Sequence, residues 1–101
     1  MTALRRTSLI QGPAGPPTNS GSASWTPGAV SSGAFVSTTV TVTGQVVGVP
    51  VWASFSLVLP DGVILWVQTT ATSTVKVYLF NNSGSPQTIG AGTLLVEGLK
   101  S

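Results

Sequence analysis

The chain of 101 residues contains neither cysteine nor histidine. Without thiols there is no disulfide framework and no thiolate metal site, and the redox compartment is left open. Without imidazole the commonest general base is missing as well. Charge is scarce: four basic and two acidic residues make up 6% of the sequence, against roughly 25% in an ordinary soluble domain. The net charge of +2 is small, and Arg5 and Arg6 stand far in sequence from Lys76 and Lys100. No basic footprint for nucleic acid follows from that distribution. Long apolar runs are absent too. The longest, Val63 to Val67, is five residues, where a membrane-spanning helix needs about 20. After Arg5 and Arg6 only Leu9 and Ile10 follow as an apolar pair, which falls short of a signal peptide's apolar stretch of roughly 7 to 15 residues. The sequence therefore predicts no nucleic-acid partner, no membrane span and no export by a signal peptide.

Catalytic groups are equally few. Asp61 and Glu97 are the two carboxylates, distant in sequence. Asp61 lies within Pro60-Asp61-Gly62, where an Asp side chain most often caps its own backbone. Lys76 and Lys100 supply no Ser-Lys arrangement. The glycines of Gly12-Pro13-Ala14-Gly15-Pro16-Pro17 do not make a phosphate loop, because the prolines between them carry no N–H. The expectation is a protein that is not an enzyme and takes no cofactor or metal.

What is present is β-branched and alternating. Val36-Ser37-Thr38-Thr39-Val40-Thr41-Val42-Thr43 is nearly all β-branched, with Val36, Thr38, Val40 and Val42 on one face. It reads as the strand around which the rest is organised. Val49 to Leu59 alternates with its odd positions apolar, and Pro60-Asp61-Gly62 is a turn signal. Val63 to Thr70 should therefore return on that segment as an antiparallel hairpin. Thr74 to Asn81 alternates next, with Val75, Val77 and Leu79 on one side and Lys76, Tyr78 and Phe80 on the other. Asn81 to Pro86 reads as a loop, and Thr93 to Leu99 is the last strand, with Leu94 and Val96 inward. No helical period occurs. Short strands at this spacing predict an all-β fold, an antiparallel β-sandwich or jelly-roll-like domain.

An extended N-terminal arm precedes it. Residues 1 to 11 hold Leu4, Leu9 and Ile10 as their sizeable apolar groups after Met1, too few to order the segment alone. It reads either as a loose terminus or as an arm that orders on a partner, with Arg5 and Arg6 finding carboxylates and Leu9 and Ile10 a groove. Gly12 to Pro17 makes two Gly-X-Y triplets, an extended polyproline II strut rather than a collagen helix. Thr18 to Ser24 is Ser/Gly/Asn-rich and reads as flexible, and Ser22 to Trp25 as a short first strand. The division is an arm over residues 1–21 and a domain over 22–101.

The second faces of the strands are unusually apolar: Trp52, Val58, Ile64, Trp66, Tyr78, Phe80, Leu95 and Leu99 lie on them. Either these strands are buried on both faces, or the residues form a subunit interface, which the scarcity of charge favours. Trp52, Trp66, Tyr78 and Phe80 are the expected interface residues.

The motifs Ser-Trp-Thr-Pro-Gly, Thr-Val-Thr-Val-Thr-Gly, Leu-Pro-Asp-Gly-Val, Thr-Val-Lys-Val-Tyr-Leu-Phe-Asn and Gly-Thr-Leu-Leu-Val-Glu-Gly-Leu-Lys run from Ser24 to Lys100. In this the chain resembles small β-sandwich structural proteins of tailed bacteriophages: capsid decoration (cement) proteins, and head-fibre and tail-fibre modules. The resemblance covers about three quarters of the chain and consists of strand and turn motifs, not a site. The collagen-like triplets fit the same group but are far shorter than a fibre shaft. The chain also reads as a complete product from Met1 to Ser101, which suits a cement protein better than a fibre. The resemblance implies a non-enzymatic virion protein on the capsid surface, commonly a homotrimer, that binds the major capsid protein and stabilises the head lattice. Leu4, Arg5, Arg6, Leu9 and Ile10 would then make the arm's contact with the capsid. The alternative is a phage tail-fibre or receptor-binding, carbohydrate-binding module.

Overall fold

The structure, a computed structural model, describes residues 17–101. The sequence-predicted arm contacts at Leu4, Arg5, Arg6, Leu9 and Ile10 lie outside the described residues. The described chain is all-β, with eight strands: β1 (Thr18–Trp25), β2 (Gly28–Val30), β3 (Phe35–Thr41), β4 (Val51–Phe55), β5 (Val63–Ala71), β6 (Thr74–Asn81), β7 (Gln87–Ile89) and β8 (Gly92–Leu99). They form three antiparallel sheets, ordered β1-β8-β4, β2-β7 and β3-β6-β5.

The alternation read from the sequence places the side chains as expected. Val75, Val77 and Leu79 of β6 and Leu94 and Val96 of β8 are all at 0% exposure. All of these but Leu79 form one cluster with Val40 and Val42, and Ala23, Ala53, Phe55, Leu65 and Val67 pack around it from both three-stranded sheets. A second cluster, Val30, Val63, Leu79 and Ile89, ties in the β2-β7 ribbon. Each fully buried Val or Leu contributes about 1.5–3 kcal/mol relative to exposure, so these two clusters are the main favourable term of the fold.

Four expectations are corrected. Val36 to Thr43 is not the central strand, because β3 is hydrogen-bonded to β6 alone; the central strands are β6 and β8. Thr18 to Ser24 is not a flexible link: β1 pairs with β8 along its whole length from Thr18↔Leu99, so residues 18–21, assigned to the arm, belong to a sheet. The strand expected over Val49 to Leu59 is confined to β4, and Val58 beyond it is 98% exposed. Finally, β4 and β5 do not form a hairpin. The turn at Pro60 exists, with the Val63 N–H donating to the Pro60 carbonyl at 3.1 Å, but β4 pairs with β8 and β5 with β6. A turn signal reports a local reversal and not the partner of the returning strand. The tight hairpin is β5–β6, closed at Ala71↔Thr74 through Thr72 and Ser73.

Two buried amides finish the structure. Gln45, at 0% exposure, accepts from Asn19 Nδ2 at 3.2 Å and donates through Nε2 to the carbonyls of Leu99 at 3.3 Å and Pro50 at 3.5 Å. Asn81 donates through Nδ2 to the Val30 and Ser85 carbonyls, both at 2.8 Å, and accepts at Oδ1 from the Ser83 N–H and hydroxyl. Gln45 fits only because residue 98 is glycine: a Cβ there would run into its amide group.

Two substitutions should move stability in opposite directions in a chemical-denaturation midpoint. Gly98→Ala overpacks the Gln45 amide and is expected to cost about 1–3 kcal/mol. Thr69→Val removes the Thr69 hydroxyl, which is buried without a hydrogen-bond partner beside the β5 irregularity, and is expected to stabilise by about 1 kcal/mol.

Candidate interaction site

The outward face of the β3-β6-β5 sheet is built as three cross-strand rows. Phe35, Phe80 and Ile64 stand abreast, then Ser37, Tyr78 and Trp66, then Thr39, Lys76 and Gln68. The face thus grades from apolar at the Phe35 end to polar at the Lys76 end. This follows from the period of two: the same alternation that turns Val75, Val77 and Leu79 inward turns Lys76, Tyr78 and Phe80 outward.

Tyr78 is the centre of the arrangement. The Trp66 ring stacks on it, with centroids 3.9 Å apart and planes within 8° of parallel. Phe35 leans against it at 5.9 Å, and the Lys76 ammonium lies 5.3 Å from its centroid. The Gln68 amide donates to its hydroxyl at 2.8 Å. These neighbours leave Tyr78 only 8% exposed, whereas Phe35 is 59%, Ile64 48% and Trp66 46% exposed. Tyr78 therefore forms the buried support on which the more accessible Phe35 and Trp66 rings rest.

Trp52 lies elsewhere. It is on β4, directly opposite Glu97 in the β1-β8-β4 sheet. It meets Trp66 only at a cleft of about 320 Å³ between β4 and β5, lined by Val51, Trp52, Ala53, Leu65, Trp66 and Val67. Of the four expected interface residues, the structure unites Trp66, Tyr78 and Phe80 on one face and brings Trp52 to that face's edge.

Sequence reasoning passed over Phe35, Gln68 and Lys76 as members of the site, and it counted Ile64 among the apolar second-face residues without choosing it. The signal for Phe35 is its parity with Ser37 and Thr39, opposite to Val36. Chemically the face can bury apolar and aromatic area and offers one cation and a few neutral hydrogen-bonding groups.

Comparison with known proteins gives no match: no family model, no curated protein and no solved structure is significantly similar to this chain. The resemblance to phage structural proteins rests on the strand and turn motifs alone.

The stack is expected to be energetically coupled. A double-mutant cycle of Trp66→Ala with Tyr78→Leu, read by denaturation, should return an interaction of about 0.5–1.5 kcal/mol beyond the two separate losses.

Proposed function

We propose that this chain is a non-enzymatic structural protein that acts by adhesion: a capsid decoration (cement) protein of a tailed bacteriophage, seated on the capsid surface as a homotrimer and binding the major capsid protein. The observation that carries this reading is the aromatic outward face, with Phe35, Ile64 and Trp66 each about half exposed in a chain with 6% charged residues. A contiguous apolar face with so little charge around it is favoured as a protein interface rather than as a solvated surface. Under the same proposal the fold is a β-sandwich of the jelly-roll-like kind. The two three-stranded sheets are its layers, as the core they share supports, and the arm of residues 1–17 carries Leu4, Arg5, Arg6, Leu9 and Ile10 to the lattice.

A second reading has one observation in its favour. Trp52 and Trp66, 44% and 46% exposed, flank the β4–β5 cleft, and flat indole surfaces suit sugar rings, as a receptor-binding tail-fibre module would require.

Copy number separates the two. Quantitative mass spectrometry of purified particles from the source of this sequence should find the protein in hundreds of copies if it decorates the head, and in a few if it belongs to a fibre. Its absence from particles would refute both. Sedimentation equilibrium of the isolated protein at tens of micromolar should give a trimer, and Trp66→Ser should shift it toward monomer; a wild-type monomer would remove the subunit-interface assignment.

A further inference from the structure

We infer that the cleft between β4 and β5 receives the segment around Leu9 and Ile10 of a neighbouring copy, laid along the β4 edge as an added strand. This rests on the self-association reading above and names what holds the copies together.

The cleft has the chemistry of a strand acceptor. β4 is the edge of its sheet and β5 the edge of the other, and among the described residues no backbone hydrogen bond joins them. The sides that face each other therefore offer backbone donors and acceptors, and Trp52 and Trp66 offer apolar walls. An extended peptide uses that combination: main-chain hydrogen bonds with side chains seated in pockets. A sugar or a charged ligand needs several placed polar side chains, and the six lining residues offer two indole N–H donors but no side-chain acceptor and no charge. The opposite flank is closed. There Gly21 of β1 lies so near the Thr41 carbonyl of β3 that a Cβ has no room, and Asn19 is bonded to Gln45.

The occupant follows from where the chain leaves the sheet. The Pro17 carbonyl still accepts from the Lys100 N–H at 3.2 Å, so the chain runs out beyond Thr18 in line with β1. The register Thr18↔Leu99 and Val51↔Gly98 puts this exit at the Val51 end of the sheet, two strand spacings from β4, or about 10 Å. Gly12 to Pro17, between the Leu9-Ile10 pair and β1, has the composition of a polyproline II strut, which at about 3.1 Å per residue would set Leu9 and Ile10 roughly 20 Å from the sheet. Returning them to the cleft of their own copy requires that strut to reverse on itself. Proline fixes its own φ and bars the α region to the residue before it, which resists such a reversal. A neighbour's cleft requires none. Leu9 and Ile10 are the one adjacent pair of large apolar residues in residues 1–17, and Leu4, Arg5 and Arg6 precede that pair in the sequence.

The absence of cysteine allows a direct trap. Ser8→Cys and Ser54→Cys, the second on the exposed side of β4, are made as separate full-length proteins, mixed, and treated with a short bis-maleimide. The expected product is a covalent pair containing one of each, lost when Leu9→Ser and Ile10→Ser are added to the Ser8→Cys chain. In the doubly substituted chain the expected product is a ladder of linked copies. An internally linked monomer would place the arm in its own cleft and overturn the inference. An oligomer by sedimentation with no cross-link would also overturn it while leaving self-association through the aromatic face intact. A monomer by sedimentation would sink both.

Discussion

The apolar faces of β6 and β8 are the constraint on which the remaining structure depends. Each is the middle strand of its sheet, and their five inward residues, Val75, Val77, Leu79, Leu94 and Val96, have no solvent exposure. A strand so buried must have its backbone donors and acceptors paired on both sides, which is the physical role of β3 and β5 around β6 and of β1 and β4 around β8. The flanking strands β1, β3 and β4 are more exposed, alternating between exposed and half-buried residues over most of their length.

Where the strands end, neutral amides replace ions. Asn81 fills all four of its hydrogen-bonding positions with groups from two parts of the chain, Val30 and the Ser83–Ser85 loop. Gln45 bridges β1, the start of β4 and the end of β8. A buried charge needs a partner and carries a large desolvation cost, whereas a satisfied amide contributes a modest net gain and fixes which segments meet. With six charged residues in all, the chain relies on this neutral chemistry for its specificity.

The two flanks between the three-stranded sheets differ. Gly21 lets β1 and β3 come together on one flank, while β4 and β5 leave a cleft on the other. Next to that cleft stands the aromatic face, held rigid by the Trp66–Tyr78 stack. An ordered aromatic surface loses little side-chain entropy when another protein covers it. The cleft and the exposed aromatic side chains thereby lie on one side of the molecule.

The sequence by itself determined the class of structure and the facing of its residues. The period of two made Val75, Val77, Leu79, Leu94 and Val96 inward and Trp66, Phe80 and Lys76 outward, because successive strand residues must point to opposite faces. It also located the bounds of β6 without error and of β5 and β8 within a residue. Tertiary structure alone decided which strands pair. β4 and β5, joined by a clear turn, went to different sheets; polar Thr18 to Ser24 became a strand because β8 offered it a full edge; and Gln45 and Asn81, loop residues by composition, became buried. Pairing partners and buried amides depend on contacts between residues distant in the chain, and local alternation carries no information about those. The same holds for Trp52 and Trp66: the sequence put both on the second faces of their strands, and only the meeting of two sheet edges set a cleft between them.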